Sequence, residues 1–237
     1  MNDCLVQAER LVKSYSGPPA LQELNLSLPS GKIIGLLGPN ASGKTTFIKL
    51  LAGLLTPTAG SITVAGLTPG PETKAIVSYL PERPYFNSWM RVSECLDFFC
   101  DFYADFDRAL AERMLSDLGV ATDAKLRTLS KGTKEKVQLV LVMARRARLY
   151  LLDEPIAGVD PAARDYILRT IISTYNKEAS VILSTHLLAD VESVLDQFVL
   201  LHNGRLLMYG NVAELREEKG MSLDEYFREV FRCGRSF

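Results

Sequence analysis

The segment from Leu37 to Thr46 carries residue types that together can hold a phosphate group. It fits the pattern G-x-x-x-x-G-K-[ST], in which loop N–H groups and a following helix N-terminus point at phosphate oxygens. In this pattern Lys44 bridges the β- and γ-phosphates, and the Thr45 hydroxyl holds Mg²⁺. The predicted phosphate loop consists of Gly38, Pro39, Asn40, Ala41, Ser42, Gly43, Lys44, Thr45 and Thr46. The segment therefore predicts binding of a nucleoside triphosphate.

Two carboxylates follow a second apolar run. Leu149–Leu152 is apolar throughout, which is typical of a parallel strand buried on both faces, and Asp153 and Glu154 come directly after it. Ligands of open α/β sheets bind at the carboxyl ends of strands, so both acids are expected near the phosphate loop. Asp153 is the predicted Mg²⁺ ligand, and Glu154 is the predicted general base for an attacking water. The alternative is that both are solvated turn residues.

His186 is one of two histidines in the chain, and it follows the apolar run Val181–Leu183. A single histidine is more often a hydrogen-bonded structural residue than a catalytic one. Here, however, the predicted carboxylates and phosphate site would be its neighbours at the same sheet edge. We therefore predict that His186 contacts the γ-phosphate and orients the attacking water.

The elements around these residues predict an α/β fold. A strand at 33–37 precedes the phosphate loop, and a helix at 46–54 follows it; further strands are predicted at 24–28, 61–64 and 75–79. Residues 92–143 have a helical pattern with breaks at 119 and 127–132. Strands at 149–152, 181–183 and 198–201 then alternate with helices at 162–175 and 187–195, which indicates a parallel sheet. Residues 211–231 predict a terminal pair of amphipathic helices.

Composition and charge limit the class of protein. With 237 residues, 47% of them hydrophobic and 23% charged, the chain resembles soluble globular proteins, and its net charge of −1 gives no general attraction for nucleic acid. No apolar run reaches the roughly eighteen residues that span a bilayer, and the first residues lack a signal-peptide pattern. The cysteines at 4, 95, 100 and 233 have no metal-binding spacing, which predicts free thiols in a reducing, cytoplasmic environment.

These motifs, in this order, resemble the nucleotide-binding domain of ABC transporters over essentially the whole chain. Leu129–Thr133 stands at the family's signature motif, and Ala157–Asp160 stands at its dimer-contact loop. Leu80–Glu82 stands at a loop that usually carries a Mg²⁺-contacting Gln, and His186 stands at the switch histidine.

The resemblance implies roles for residues that the motifs alone leave unassigned. Ser130 and Gly132 would contact the γ-phosphate held by a second subunit, and Asp160 would contribute to the nucleotide site between subunits. Asp160 also has a sufficient structural explanation as the N-cap of a helix that begins at Pro161. Tyr15 would stack on adenine, although a surface tyrosine is a common alternative.

Three departures from the family's pattern bear on function. Lys131 and Thr133 replace the usual Gly and Gln of the signature, while Ser130 and Gly132 remain. Glu82 replaces Gln, which puts an anionic ligand within reach of Mg²⁺ or its water. These replacements resemble those of drug- and antibiotic-exporting subfamilies, so export is favoured over import.

The resemblance also implies the architecture. The chain would be one nucleotide-binding domain over residues 1–237, with an ATPase core formed by residues 1–82 and 146–210. An antiparallel β-subdomain would lie at the N-terminal end, and residues 83–145 would form an inserted helical subdomain. Residues 211–237 would form a C-terminal helical extension.

The implied function is that of an ATP- and Mg²⁺-dependent ATPase subunit of a transporter, peripheral on the cytoplasmic face of the membrane. Two such chains, identical or not, would pack head to tail, and a transmembrane permease would dock on residues 82–89. One alternative is a soluble ABC ATPase that acts on nucleic acid or ribosomes, and another is a non-catalytic half of a heterodimer. The intact Lys44, Asp153, Glu154 and His186 argue against the second alternative.

Aromatic residues are concentrated between positions 85 and 106. Helical spacing predicts that Phe98, Phe99, Phe102 and Phe106 are core residues. Tyr85, Phe86 and Trp89 follow Glu82 in the predicted docking loop, where an exposed aromatic patch would bind a partner.

Overall fold

The structure is a computed structural model that describes residues 4–156, 161–174 and 178–233. The predicted dimer-contact loop at 157–160, with Asp160, lies outside the described residues, as does the side chain of Cys233. Cys4, Cys95 and Cys100 are free thiols, as predicted. Within the described ranges, no helix has the length and apolar character needed to cross a bilayer.

Nine strands form two sheets in the described part of the chain. The strands are β1 (Cys4–Lys13), β2 (Leu21–Pro29), β3 (Ile33–Leu37), β4 (Ala59–Val64), β5 (Val77–Leu80), β6 (Leu149–Asp153), β7 (Ser180–Ser184), β8 (Gln197–His202) and β9 (Arg205–Asn211). The smaller sheet is antiparallel, with strand order β2-β1-β4. The larger sheet has the order β5-β6-β7-β3-β8-β9, in which β9 pairs antiparallel with β8 and the other pairs are parallel.

The helices lie between and after these strands. They are α1 (Lys44–Leu51), α2 (Pro71–Ile76), α3 (Val92–Phe102), α4 (Arg108–Asp117), α5 (Lys131–Met143), α6 (Pro161–Thr174), α7 (Leu188–Val191), α8 (Val212–Lys219) and α9 (Leu223–Cys233), with 3₁₀ turns at Leu126–Thr128 and Glu192–Val194. Helices α3, α4 and α5 lie within residues 83–145, and α8 and α9 lie within residues 211–237. The observed architecture is therefore the predicted α/β class, with a parallel sheet, an antiparallel sheet and helices.

The larger sheet is covered on both faces, which explains why its strands are apolar without interruption. Side chains of a strand alternate between faces, so Leu149 and Leu151 join one core while Tyr150 and Leu152 join the other. The first core lies against the antiparallel sheet and α1, and the second lies against the helices from α3 onward. Both faces of these strands are buried, and polar residues stand at or after their carboxyl-terminal ends.

Several predicted boundaries were wrong. Helix α1 begins at Lys44 rather than at Thr46, directly after Gly43, whose φ of 106° no helical residue adopts. It ends at Leu51 rather than at Leu54, because Gly53 takes a left-handed conformation with φ of 66°. The predicted strand at 75–79 is instead the end of α2 followed by β5.

The prediction of four core phenylalanines was also wrong in part. Phe99 is buried and Phe106 is partly buried, whereas Phe98 and Phe102 are 40% and 68% exposed. Phe98 and Phe102 stack on each other with ring centroids 4.4 Å apart, on the outer side of α3. Helical spacing predicted that Phe98 and Phe102 share a face of the helix with Phe99, but the core covers only part of that face of α3.

Candidate active site

The carboxyl-terminal ends of four strands lie side by side in the larger sheet. Strands β5, β6, β7 and β3 are neighbours and run parallel, so the segments that follow them emerge side by side. Ser184 of β7 pairs with both Asp153 of β6 and Leu36 of β3. The sheet therefore brings the phosphate loop, the two acids, Glu82 and His186 to the same place, as predicted from their positions after apolar strands.

The phosphate loop has a backbone that requires glycine at two positions. Gly38 has φ of 151°, and a Cβ there would lie 2.3 Å from the carbonyl oxygen of Leu201. Gly43 has φ of 106°, and a Cβ there would lie 2.6 Å from the carbonyl oxygen of Ala20. Ala41 takes a left-handed φ of 63°, a conformation that favours glycine. The two glycines let the loop turn tightly into α1, whose N-terminus has no side-chain cap.

Lys44 lies at the first position of α1 and reaches back over the loop. Its ammonium group donates hydrogen bonds to the carbonyl oxygens of Gly38 at 2.7 Å and Pro39 at 3.1 Å. Burial lowers the pKa of Lys44, while the charges of Glu154 and Asp153 act in the opposite direction. A cation is thus held beside uncapped helix N–H groups, which is the arrangement that binds a polyphosphate.

Asp153 ends β6 and is almost fully buried. Its Oδ1 accepts hydrogen bonds from the Ser184 hydroxyl at 2.6 Å and from the Thr45 hydroxyl at 3.2 Å. Its Oδ2 is buried without a hydrogen-bond partner. Burial raises the pKa of this carboxyl, and the two hydroxyl groups partly offset that effect. An unpartnered carboxylate oxygen beside a threonine hydroxyl fits a small divalent cation of oxygen preference.

Glu154 and His186 form a hydrogen-bonded pair. The Glu154 Oε2 lies 3.0 Å from the His186 Nδ1. The glutamate side chain is 13% exposed and the histidine side chain is 56% exposed, so the carboxylate is shielded while the imidazole faces solvent. Burial raises the pKa of Glu154, and the neighbouring His186 and Lys44 counteract it. A carboxylate whose pKa is raised in this way is a better proton acceptor than an ordinary glutamate.

These groups surround a cavity of about 610 Å³ at the sheet edge. The cavity is lined by Ala20, Asn40, Ala41, Ser42, Gly43, Lys44, Thr45, Thr46, Glu82, Glu154 and His186. Ser42 contributes a hydroxyl oxygen that is buried and has no hydrogen-bond partner. The volume lies within the range of small-molecule and cofactor sites, and eight of the eleven lining residues have polar side chains.

Comparison with known proteins decides the family. Residues 21–157 match the family described as ABC transporter. The chain belongs to this ABC transporter family. A relative from Bacillus subtilis, the ABC-type transporter ATP-binding protein EcsA, is 32% identical over 237 residues, covering 95% of this chain and 96% of EcsA. A solved structure described as the ATP binding subunit of an ABC transporter superposes with a TM-score of 0.85 at 32% identity, covering 96% of this chain and 99% of that one.

Two further relatives of this ABC ATPase, also from Bacillus subtilis, have names that mention peptide export and linearmycin resistance. The SkfA peptide export ATP-binding protein SkfE is 30% identical, covering 96% of this chain and 96% of SkfE. The linearmycin resistance ATP-binding protein LnrL is 29% identical, covering 91% of this chain and 72% of LnrL. Because the family hydrolyses ATP, the chain is an ATP-binding ABC-type ATP hydrolase.

Besides Gly38, Pro39 and Asp153, three predicted site residues of the ABC ATPase that the structure describes do not line the phosphate-loop cavity. Ser130 is exposed and caps α5, accepting a hydrogen bond from the backbone N–H of Thr133 at 3.1 Å. Gly132 lies in the first turn of the same helix, with open space around the position of a Cβ. Tyr15 is 55% exposed in the loop after β1, where Lys13 lies 5.4 Å from its ring centroid.

Two residues of the ABC ATPase site were missed by the sequence reasoning. Ala20 lines the cavity and contributes the carbonyl oxygen that excludes a Cβ at Gly43, and nothing in the sequence marks it. Ser184 lies between the two acids, with a hydroxyl that contacts Asp153 and the backbone of Glu154. Its signal was visible, because Ser184 is the first polar residue at the end of an otherwise apolar strand.

Proposed function

We propose that the chain is the ATP-hydrolysing subunit of a transporter that exports its substrate through a separate transmembrane subunit. The observation that carries this proposal is the convergence of Lys44, Glu154 and His186 on one cavity beside an uncapped helix N-terminus, with Asp153 hydrogen-bonded to Thr45 of that cavity. The names of two relatives, one of peptide export and one of linearmycin resistance, support the export direction.

The acidic groups of the site fit Mg²⁺. Asp153 has a buried carboxylate oxygen without a partner, the Thr45 hydroxyl is its neighbour, and Glu82 lines the same cavity. Thr45, Asp153 and Glu82 would hold the cation, directly or through water. When bound, Mg²⁺ would neutralise phosphate charge and polarise phosphoryl oxygens.

The roles of the remaining residues follow from their contacts. The loop N–H groups and Lys44 bind the phosphates of ATP, because they supply positive potential and hydrogen-bond donors at the uncapped N-terminus of α1. Glu154 removes a proton from the attacking water, since it is a shielded carboxylate with a raised pKa at the cavity wall. His186 holds the glutamate in place through its Nδ1 and presents the rest of its ring to the cavity.

Two chains would complete each other's sites. Ser130 and Gly132 are accessible at the N-terminus of α5, a 13-residue helix, but they lie apart from the phosphate-loop cavity of their own chain. A second chain packed head to tail would bring this hydroxyl and these helix N–H groups to the γ-phosphate. Binding of ATP would then join the two chains, and hydrolysis would release them.

An aromatic groove supports docking of a membrane subunit. A cavity of about 520 Å³ lies between the sheet and the inserted helices, and its lining includes Tyr79, Pro81, Arg83, Tyr85, Phe98 and Tyr103. Its floor is held by Arg145, which bonds to the carboxylate of Asp105 at 3.0 Å and to the carbonyl oxygen of Val77 at 2.6 Å. Trp89, in the same loop as Tyr85, is 63% exposed. Exposed aromatic side chains are typical anchors at protein interfaces.

The two alternative functions have less support. A net charge of −1 gives no field that would draw the chain to nucleic acid or ribosomes. A non-catalytic role would leave the shielded glutamate and its histidine partner without a purpose. A peripheral position on the cytoplasmic face of the membrane follows from the proposed partner.

Co-expression tests the proposal. The tagged chain is produced with each polytopic membrane protein encoded next to its gene, and the detergent-solubilised complex is purified and assayed for ATP turnover. We expect a stable complex whose turnover exceeds that of the isolated chain, and loss of the complex in the Tyr85→Ala, Trp89→Ala double variant. Leu207→Ala is the matched control, because Leu207 is 50% exposed on β9, at the opposite edge of the sheet from β5. Co-purification with ribosomes instead of a membrane protein would contradict the transport function.

A further inference from the structure

The last residue of β7 joins the two acids of the site. Ser184 is fully buried, and its hydroxyl donates a hydrogen bond to the Asp153 Oδ1 at 2.6 Å. The hydroxyl oxygen of Ser184 also accepts a hydrogen bond from the backbone N–H of Glu154 at 3.0 Å. One hydroxyl therefore contacts the side chain of the first acid and the backbone of the second.

The contact with the N–H of Glu154 is made to a residue with an unusual backbone conformation. Glu154 has φ of 53°, a left-handed conformation that a residue with a side chain adopts at a cost, and that persists only where its surroundings hold it. Its N–H points at Ser184, bonding to the carbonyl oxygen at 3.1 Å as well as to the hydroxyl. The left-handed turn directs the Glu154 carboxylate to His186 rather than along the strand direction.

The first contact fixes the orientation of the Asp153 carboxylate. Both hydroxyl donors, Ser184 at 2.6 Å and Thr45 at 3.2 Å, bond to the same oxygen, Oδ1, and leave Oδ2 unpartnered. The bond from Ser184 is the shorter, and it comes from a strand that is buried on both faces. The hydroxyl of the neighbouring Thr185 has a different partner, since its Oγ1 accepts a hydrogen bond from the backbone N–H of Leu187 at 3.0 Å.

We propose that Ser184 is a positioning residue for ATP hydrolysis, whose hydroxyl sets the carboxylate of Asp153 for the cation and the backbone of Glu154 for proton transfer. This inference rests on the proposed roles of Asp153 and Glu154. The Ser184 hydroxyl supports both roles, so that its loss weakens cation binding and ATP turnover together.

The chain contains a matched control on the same strand. Ser180 begins β7 and is also buried, with 1% of its surface exposed. Its hydroxyl donates to the carbonyl oxygen of Pro29 at 3.1 Å and accepts the backbone N–H of Lys32 at 3.4 Å. Removal of this hydroxyl deletes comparable hydrogen bonds at the end of the strand remote from the cavity, and so measures the effect on packing alone.

The experiment compares Ser184→Ala, Ser184→Thr and Ser180→Ala in the full chain. The first readout is the affinity for a fluorescent ATP analogue with Mg²⁺ and with a chelator, since their ratio reports the contribution of the cation. The second readout is kcat at saturating MgATP. We expect Ser184→Ala to lose about tenfold in both readouts, as for a hydrogen bond to a charged group. Ser184→Thr retains the hydroxyl and should stay within about threefold of the wild-type chain, as should Ser180→Ala.

Each other outcome overturns the inference. Ser184→Ala within about threefold of wild type would show that the hydroxyl positions nothing. Equal losses in Ser184→Ala and Ser184→Thr, or in Ser184→Ala and Ser180→Ala, would assign the effect to packing. Asp153→Ala and Glu154→Gln are measured alongside. If these two variants turn over ATP at the wild-type rate, the assigned roles themselves fail; if they are inactive while Ser184→Ala is not, only the role of Ser184 fails.

Discussion

The charged groups of the active site affect one another's pKa values because they are buried close together. Burial lowers the pKa of Lys44 and raises those of Asp153 and Glu154, so each group alone would be driven towards its neutral form. The opposite charges and the hydroxyl donors around them counteract this tendency. The lysine is thus both the proposed ligand of ATP and a charge that opposes the rise in the pKa of Glu154.

Lys44→Ala should weaken ATP binding by about ten- to a hundredfold and abolish detectable hydrolysis, because it removes charge-assisted hydrogen bonds to phosphate. Lys32→Ala is the control, since Lys32 directly precedes β3 at the end remote from the cavity. Titration with a fluorescent ATP analogue checks the affinity, and phosphate release checks turnover. Wild-type affinity in Lys44→Ala would refute the assignment of the phosphate loop.

At the residue scale, the sequence predicted the groups that belong to motifs but not the groups that support them. Asp153 and Glu154 could be placed because they stand at the end of an apolar strand, and Lys44 could be placed because the loop motif that contains it follows another apolar strand. The role of Ser184 depends on the register between β6 and β7, where Asp153 pairs with Ser184. Register across a parallel sheet is a tertiary property that a single sequence does not display.

At the element scale, continuous apolarity predicted the buried strands well, and half-exposed strands were missed. Strands β3, β6 and β7 are buried at every residue and were predicted near their observed bounds. Strand β9 has apolar residues at both its exposed and its partly buried positions, and β1 has irregular pairing with exposed charges at Glu9 and Arg10, so apolar and polar residues do not alternate clearly in either sequence. Edge and irregular strands carry a weak pattern because only part of their surface meets the core.

One acidic residue adds polar contacts to the apolar packing of the terminal helices on the core. Glu192 accepts hydrogen bonds from the Arg216 guanidinium at 2.8 Å and from the backbone N–H of Asp224 at 3.3 Å. Burial alone would raise the pKa of this carboxyl, but these bonds and one from the backbone of Leu223 outweigh burial, and the pKa lies below its ordinary value. The ionised form therefore stabilises the packing of α8 and α9.

Glu192→Gln should reduce the free energy of unfolding by about 1–2 kcal/mol at pH 7, since hydrogen bonds to a charged group are lost. The folded-state pKa is lowered, so this stabilisation is present above the unfolded pKa of about 4.3 and is lost as pH falls through the lower folded value. Urea unfolding of both chains at neutral and acidic pH should therefore show a difference that shrinks on acidification. Glu214→Gln, at an exposed position of α8, is the control, and equal effects of the two variants at pH 7 would contradict the account.

At the scale of the whole molecule, the phosphate loop and the signature helix occupy separate surfaces. The cavity lies at the sheet edge, while Ser130 is exposed at the start of α5 in the inserted helices. In the proposed arrangement, a second chain would supply the part of the site that the first chain lacks. This arrangement would convert the energy of ATP binding into closure of the dimer, which a docked membrane subunit could follow.

Ser130→Arg should abolish hydrolysis while leaving ATP binding by the same chain unchanged, because a bulky side chain would block closure without touching the phosphate loop. Ser116→Arg is the matched control, since Ser116 is exposed on α4, in the same group of inserted helices. ATP affinity is measured at protein concentrations where the chain is monomeric, and turnover is measured at high concentration. Loss of ATP binding in the Ser130→Arg monomer would show that the signature acts within one chain.

The most direct test of the whole account is ATP turnover by Glu154→Gln. The amide keeps the shape of the side chain and its contact with water, but it cannot accept a proton, and general-base catalysis contributes typically 10²–10⁴-fold. We expect the variant to bind MgATP with wild-type affinity, to lose at least about a hundredfold in kcat, and to accumulate with ATP as a dimer in light scattering. Turnover within about threefold of the wild-type chain would show that Glu154 is not the base.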